Sequence, residues 1–217
     1  PSGGVSRVTA PSAKSVRTLV VDQLLRGDYD TITEAIENAN PGDRILVRKG
    51  VYDEALVLDK VLELVGDGNL GDVEIRAYEK HVIHFKTSTG VVHNLVLSQT
   101  GGEGRTGVYI TQGRLHLEGC DISSQSLACV EICGANTEPV LRYNKIHGSK
   151  QTGVLVGQNG QGRIEFNEIW DNDGPGISIE GGAIPVVRNN KIHDGKSFGI
   201  LVLSNNQAQV EANDIWG

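Results

Sequence analysis

The sequence predicts an all-β chain wound as a single-stranded parallel β-helix, a solenoid of about 23 residues per coil with an N-terminal capping helix. Three observations predict it. First, a signature returns at a fixed spacing: Asn144-Lys145-Ile146-His147, Asn167-Glu168-Ile169-Trp170, Asn190-Lys191-Ile192-His193 and Asn213-Asp214-Ile215-Trp216. Second, each of the first three is followed by a Gly-led apolar run: Gly153-Val-Leu-Val156, Gly176-Ile-Ser-Ile179 and Gly199-Ile-Leu-Val202. Third, the apolar runs are short, β-branched and alternating, with Gly, Asn and Asp between them, which is the pattern of strands. One such repeat cannot bury its apolar face alone, whereas stacked repeats share a continuous core.

The elements follow in order. Residues 1–16 are rich in small and polar residues and read as a flexible linker or expression remnant. Residues 17–59 form the N-terminal cap and first coil. Within them Thr18–Asp22 reads as a strand and Thr31–Ala39 as the one clear helix, with Thr31 as its cap before Glu34. That helix is expected to plug the open apolar end of the solenoid. Residues 60–217 form the coils, less regular up to about 135, for roughly seven coils in all. Glu103-Gly104-Arg105 reads as a protruding loop. The last repeat signature ends at Trp216, so the C-terminal edge is expected to be truncated from a longer chain or covered by self-association, because a bare strand edge invites pairing.

Residues one period apart stack in columns about 4.8 Å apart. The Asn column (144, 167, 190, 213) reads as amides hydrogen-bonded along the axis, with Cys120 in that place one coil earlier. The Ile column (122, 146, 169, 192, 215) reads as core. Three columns alternate in charge: Glu118, Arg142, Glu165, Arg188, Glu211; Asp121, Lys145, Glu168, Lys191, Asp214; and Lys150, Asp173, Lys196. They read as exposed ladders that fix register and contribute about 0.2–1 kcal/mol per pair. The alternation makes the true repeat two coils long.

Composition limits the function. The 217 residues carry a net charge of −7, which leaves no basic stripe for nucleic acid. No apolar run has the length of a membrane span. The three cysteines, Cys120, Cys129 and Cys133, are odd in number and confined to one coil, so they read as free thiols of a cytoplasmic protein rather than a disulfide framework. They have no His partners at zinc spacing.

The run Tyr29–Asp43, followed by Gly50-Val-Tyr52, resembles the N-terminal cap of right-handed β-helices of the pectate-lyase-like superfold, including their NosD-type and carbohydrate-binding/sugar-hydrolase (CASH) repeats. The segment Pro139–Trp216 resembles the β-helix of F-box proteins that recruit substrates to ubiquitin ligases, with the same alternation of Pro-x-x-Arg-x-Asn-Lys-Ile-His and Glu-x-Asn-x-Ile coils. This chain contains no F-box, so no ubiquitin role carries over. The resemblance implies a right-handed helix, a fold that hosts lyases, hydrolases, epimerases and non-catalytic binders, so function must come from the site.

Two candidate sites emerge. The column His147, Trp170, His193, Trp216 holds both tryptophans of the chain; on a rigid face such rings suit a sugar or a peptide, and they could equally stack on one another. Asp171 and Asp194, one coil apart and with Asp173 nearby, are the carboxylates a polysaccharide lyase, hydrolase or epimerase would use. Asp and Gly in such runs also make turns. Acidic residues there could bind Ca²⁺, and no other cofactor is implied. The sequence thus reads as a non-catalytic recognition domain of a larger protein, binding a protein or glycan ligand; the alternative is a polysaccharide-active enzyme.

Overall fold

A computed structural model describes residues 16–203 and 206–217. The linker expectation for residues 1–16 therefore lies, Val16 apart, outside the described residues. Every strand pairing among these residues is parallel, including Val154↔Ile177. Each coil contributes up to three short strands, so the solenoid has three faces.

The first face begins with Thr18–Val21, Arg44–Val47 and Glu63–Gly66 and ends with Val186–Arg188 and Gln209–Glu211. The second runs from Gly50–Asp53 through Lys145–His147 and Glu168–Trp170 to Asp214–Trp216. The third runs from Leu56–Leu58 through Ala128–Cys133 and Thr152–Gly157 to Ile200–Val202. Two long strands, Ile83–His93 and Thr106–Glu118, pass through the corner from the third face to the first and join those faces into one sheet of 14 strands. The solenoid has about nine turns rather than the expected seven. The early register explains the undercount. Thr18↔Arg44, Arg44↔Glu63 and Glu63↔Val91 are separated by 26, 19 and 28 residues. The segment read as a cap plus one coil therefore already supplies two rungs, and no constant period marks them.

The capping helix spans Ile32–Asn38, with Thr31 Oγ1 accepting from the Glu34 N–H at 3.2 Å. It buries Ile32, Ala35 and Ile36 against the first coils. Both helix ends are closed by side chains of the coil below. The Glu54 carboxylate accepts from the N–H groups of Ile32 and Thr33, and Lys60 Nζ donates to the carbonyls of Ile36, Glu37 and Ala39. Each charge complements the helix dipole at its end.

The bend between the first and second faces takes two residues. The first is left-handed: Tyr143, Phe166, Asn189 and Ala212 have φ of 54°, 57°, 56° and 52°. The second is the column asparagine. Asn167 Oδ1 accepts from both the N–H and the Nδ2 of Asn144, each at 3.0 Å, while Asn167 Nδ2 donates to Leu141 O, Glu165 O and Asn190 Oδ1. Asn190 and Asn213 repeat the pattern, and Asn144 Oδ1 takes the Cys120 N–H. Buried backbone groups at the turn are thereby satisfied.

The charge columns differ from expectation. In the first, Glu165 is fully buried under two arginines: Arg142 and Arg188 each donate to it from Nε at 2.8 Å. The second is not a ladder of ion pairs, because Asp121 instead takes His147 Nε2 at 2.8 Å and Glu168 lies 3.5 Å from His193 Nε2. In the third, Lys196 reaches Asp173 at 2.6 Å. The Ile column is core as far as Ile192, but Ile215 is 49% exposed because no described coil covers it.

Glu165 therefore carries more than an exposed ladder would. Its two arginine partners hold the carboxyl below the usual range against the opposing effect of burial. A depressed folded pKa gives stability that is present above the unfolded pKa of about 4.3 and lost as pH falls through the folded value. Glu165→Ala should cost about 2 kcal/mol at pH 7, the range for hydrogen bonds to charged groups, and the difference from the parent should shrink below pH 4. Denaturant unfolding at both pH values checks it. Arg188→Ala, expected to be nearly neutral for an exposed ladder, should instead cost about 1 kcal/mol or more, since it leaves a covered carboxylate with one partner.

Candidate functional site

The His/Trp column does form one stack. His147 and Trp170 are 4.4 Å apart at 18°, Trp170 and His193 6.1 Å at 7°, and His193 and Trp216 4.5 Å at 9°. The register His147↔Trp170↔His193↔Trp216 on the second face places them. The ring faces are thus occupied by one another. His147 Nε2 is engaged with Asp121, and His193 Nδ1 with Asp194 Oδ2 at 2.8 Å, while the buried His193 Nε2 has no hydrogen-bond partner among the described residues and lies 3.5 Å from Glu168. Trp216 is the exception, 47% exposed at the end of the stack. The arrangement stiffens the face.

The carboxylate candidates are placed by the bend. Asp171 and Asp194 are exposed and sit at φ of +50° in the bend that Gly148 and Gly217 also occupy. That conformation favours Gly, Asn and Asp, so the backbone accounts for them. Asp194 is held by His193 and Asp173 by Lys196. Among the described residues no group of three or more His, Cys, Asp or Glu side chains could hold a metal ion.

The structure instead gathers titratable groups on the outward side of the third face. Register places His84, Tyr109 and Glu131 on successive rungs. His81 stacks on Tyr109 at 4.6 Å and 18°, and His84 lies 5.1 Å from it. His81 Nδ1 accepts the Thr106 N–H at 3.1 Å, so its proton resides on Nε2. His84 Nε2 contacts Thr111 Oγ1 at 3.1 Å, and that hydroxyl donates to Phe85 O, so Nε2 is the donor. Burial, aided by the Arg105 charge and then His84, pushes His81 down to about 4. Burial, with Lys86, also lowers His84. Both imidazoles are neutral near pH 7. Burial pushes Tyr109 up to about 12, with Cys133 and Glu131 adding to it, and burial with the nearby Glu180 raises Glu131. Such a half-buried cluster of shifted groups is a mark of a functional surface.

A cleft of about 450 Å³ opens where the second face turns into the third, lined by Asp53, Glu54, Arg76, Tyr78, Lys80 and Thr100. Its size falls in the range of ligand sites. Arg76 and Asp53 form a two-pronged pair across it at 2.9 and 3.1 Å. The loop after Thr100 packs against Tyr78–Glu79: Gly101 and Gly102, at φ of 151° and 101°, lie so close that a Cβ would meet Tyr78 Cε2 at 2.9 Å and Glu79 Cα at 2.7 Å. The Tyr78 ring is 65% exposed, and the exposed Lys80 has no ion-pair partner among the described residues. Lys80 is followed directly by His81. Sequence reading missed both features. The spacing is uneven, 25 residues from His84 to Tyr109 and 22 from Tyr109 to Glu131, and a bulge shifts Lys86↔Gln112 and Thr89↔Arg114 out of step, so no column was visible.

Two of the three cysteines fit no reactive role in this surface, and the third, the half-buried Cys133, lies beside Tyr109 with its thiol raised by burial. Cys120 and Cys129 are buried, and burial pushes Cys120 up to about 12 and Cys129 higher still.

A pH prediction follows from His81. Its folded pKa lies below the unfolded value of about 6.5, so the unfolded chain binds the extra proton. The stability it carries is complete above about pH 6.5 and is lost as pH falls toward about 4. His81→Gln should therefore lose less stability than the parent between pH 7 and pH 4.5, read by denaturant unfolding at each pH.

A family model described as "Right handed beta helix region" matches residues 81–217. No curated protein matches the sequence. Among solved structures, the pectin methylesterase from carrot superposes with a TM-score of 0.59 at 14% identity, over 94% of this chain and 84% of that one. The alginate lyase from Paenibacillus sp. str. FPU-7 gives 0.59 at 11% identity, over 92% and 95%. The Aspergillus niger pectin methylesterase gives 0.52 at 13%, over 97% and 88%. At these identities the likeness shows the fold alone.

Proposed function

Since the chain belongs to the right-handed β-helix family, which shares a coil rather than a chemistry, we propose that it is a non-catalytic recognition domain for an acidic polysaccharide segment. The segment docks in the cleft beside Tyr78 and Lys80 and extends over His84 and Tyr109 on the third face. The observation that carries this is an unpaired cation beside a mostly exposed aromatic ring in a preformed 450 Å³ cleft. A sugar ring stacks on the tyrosine while its carboxylate pairs with the ammonium. The similar solved structures are of enzymes named for pectin and alginate, both acidic polysaccharides, names that suit the enzyme alternative as much as this ligand class. The resemblance of Pro139–Trp216 to substrate-recruiting β-helices supports recognition over turnover.

A second reading has one observation in its favour. Neutral His81 and His84 beside Tyr109, with Glu131 biased toward its acid form, are groups an elimination or hydrolysis could use for proton transfer. They belong to the enzyme alternative in place of Asp171 and Asp194.

Calorimetric titration with oligogalacturonate, oligoalginate and a neutral cello-oligosaccharide tests the proposal. The acidic oligosaccharides should bind, and Tyr78→Ala or Lys80→Ala should weaken binding at least tenfold, about 1.4 kcal/mol. The double variant Asp171→Asn/Asp194→Asn should bind like the parent, because its aspartates serve the bend. Equal affinity for neutral and acidic chains, or no binding, overturns the reading.

A further inference from the structure

We propose a second subsite for an acidic sugar at the bend between the first and second faces, built on the stacked rings of Tyr143 and Phe166. It lies on another corner of the solenoid from the cleft and stands on separate observations. The first residue of this bend is left-handed on six successive rungs: Asn94, Gly119, Tyr143, Phe166, Asn189 and Ala212, with φ between 52° and 60°. Gly and Asn adopt this conformation readily. A bulky aromatic residue does so at a cost and is an outlier there. Two consecutive rungs bear that cost.

Packing does not explain the choice. Tyr143 is 58% and Phe166 44% exposed, and the rings stack on each other outside the core at 5.6 Å and 21°. Any small residue would make the same turn. Strain retained at an exposed pair of rings points to a role in binding.

The surroundings specify the ligand. A shallow cavity of about 360 Å³ is lined by both rings with Lys145, Glu168, Asn189 and Lys191. The next rung beyond Phe166 carries Asn189, whose side chain is too short to cover a ring, so the stack has a free place. Lys145, Lys191 and Asn189 are exposed, and their side chains have no hydrogen-bond or ion-pair partner among the described residues. Glu168 stands on the rung between the two lysines, 3.5 Å from His193 Nε2, so the surround carries two positive charges against one negative. The free groups are therefore two ammoniums and one amide around an open aromatic face. They match a pyranose ring that carries a carboxylate: the ring continues the stack at the Asn189 rung, the carboxylate pairs with Lys191 on that rung, and hydroxyls meet the amide and Lys145. A proline-rich peptide could stack there but offers no anion to the lysines.

The test uses the whole chain and NMR of its Tyr143 and Phe166 ring signals, titrated with trigalacturonate, cellotriose and a proline-rich peptide. Trigalacturonate should shift both rings, and the other two should not. Tyr143→Asn/Phe166→Asn should melt no lower than the parent, because this column already accepts Asn, yet lose binding at this site at least tenfold. Lys145→Gln/Lys191→Gln, which leaves the backbone untouched, should weaken trigalacturonate by a similar factor. Tyr78→Ala should leave the ring shifts unchanged, which separates this subsite from the cleft. Unmoved ring signals with trigalacturonate, equal binding by either double variant and the parent, or a preference for cellotriose or the peptide overturns the proposal.

Discussion

Asn167→Ala is expected to destabilise the protein by about 3 kcal/mol or more. The side chain is 2% exposed and takes part in five hydrogen bonds. Its loss leaves the Asn144 N–H without that acceptor and the carbonyl of Leu141 without that donor, inside a bend that water does not reach. Each buried polar group left unpaired costs about 1–3 kcal/mol, and two or more are exposed to that penalty here. Asn213, in the same column but only half-buried, is the internal control. Asn213→Ala should cost about 1 kcal/mol, because water can replace what the side chain supplied. Urea unfolding of the two variants measures the difference; equal losses would mean that the column is not held by its interior bonds.

Ile169→Ala should cost about 2–5 kcal/mol through lost transfer free energy and the cavity left behind. Ile169 is fully buried, flanked one rung away by Ile146 at 0% and Ile192 at 3% exposure. Neighbouring rungs are fixed by parallel pairing on three faces, so the site has little freedom to collapse. Ile215→Ala, the same residue in the same column at 49% exposure, should cost under about 1 kcal/mol. A loss under about 1 kcal/mol at Ile169 would contradict the core assignment.

The regular coils were legible because one constant period exposes their columns. The Ile column and the His/Trp register follow from counting by 23, and the helix cap at Thr31 follows from its local pattern with Glu34. What that count could not give was the environment of a column. Glu118, Arg142, Glu165 and Arg188 alternate in charge along the sequence, but nothing there shows that Glu165 is buried between two arginines. Likewise the four rings were visible as a column, and only geometry shows that they cover one another. The third-face cluster escaped because His84, Tyr109 and Glu131 belong to rungs of unequal length. The cleft at Lys80 escaped because it depends on how the Gly101-Gly102 loop packs against Tyr78. The aspartates at 171 and 194 were legible as turn residues, and their left-handed backbone is the physical reason for their identity.

The most direct test of recognition without turnover is a single titration of the protein with oligogalacturonate and oligoalginate, with chain cleavage and de-esterification followed in the same samples. Saturable binding is expected, weakened at least tenfold by Tyr78→Ala or Lys80→Ala, with no product formed over prolonged incubation. Product formation by the parent protein that disappears in His81→Gln or Tyr109→Phe, while both variants remain folded, would contradict it and establish the third face as an active site.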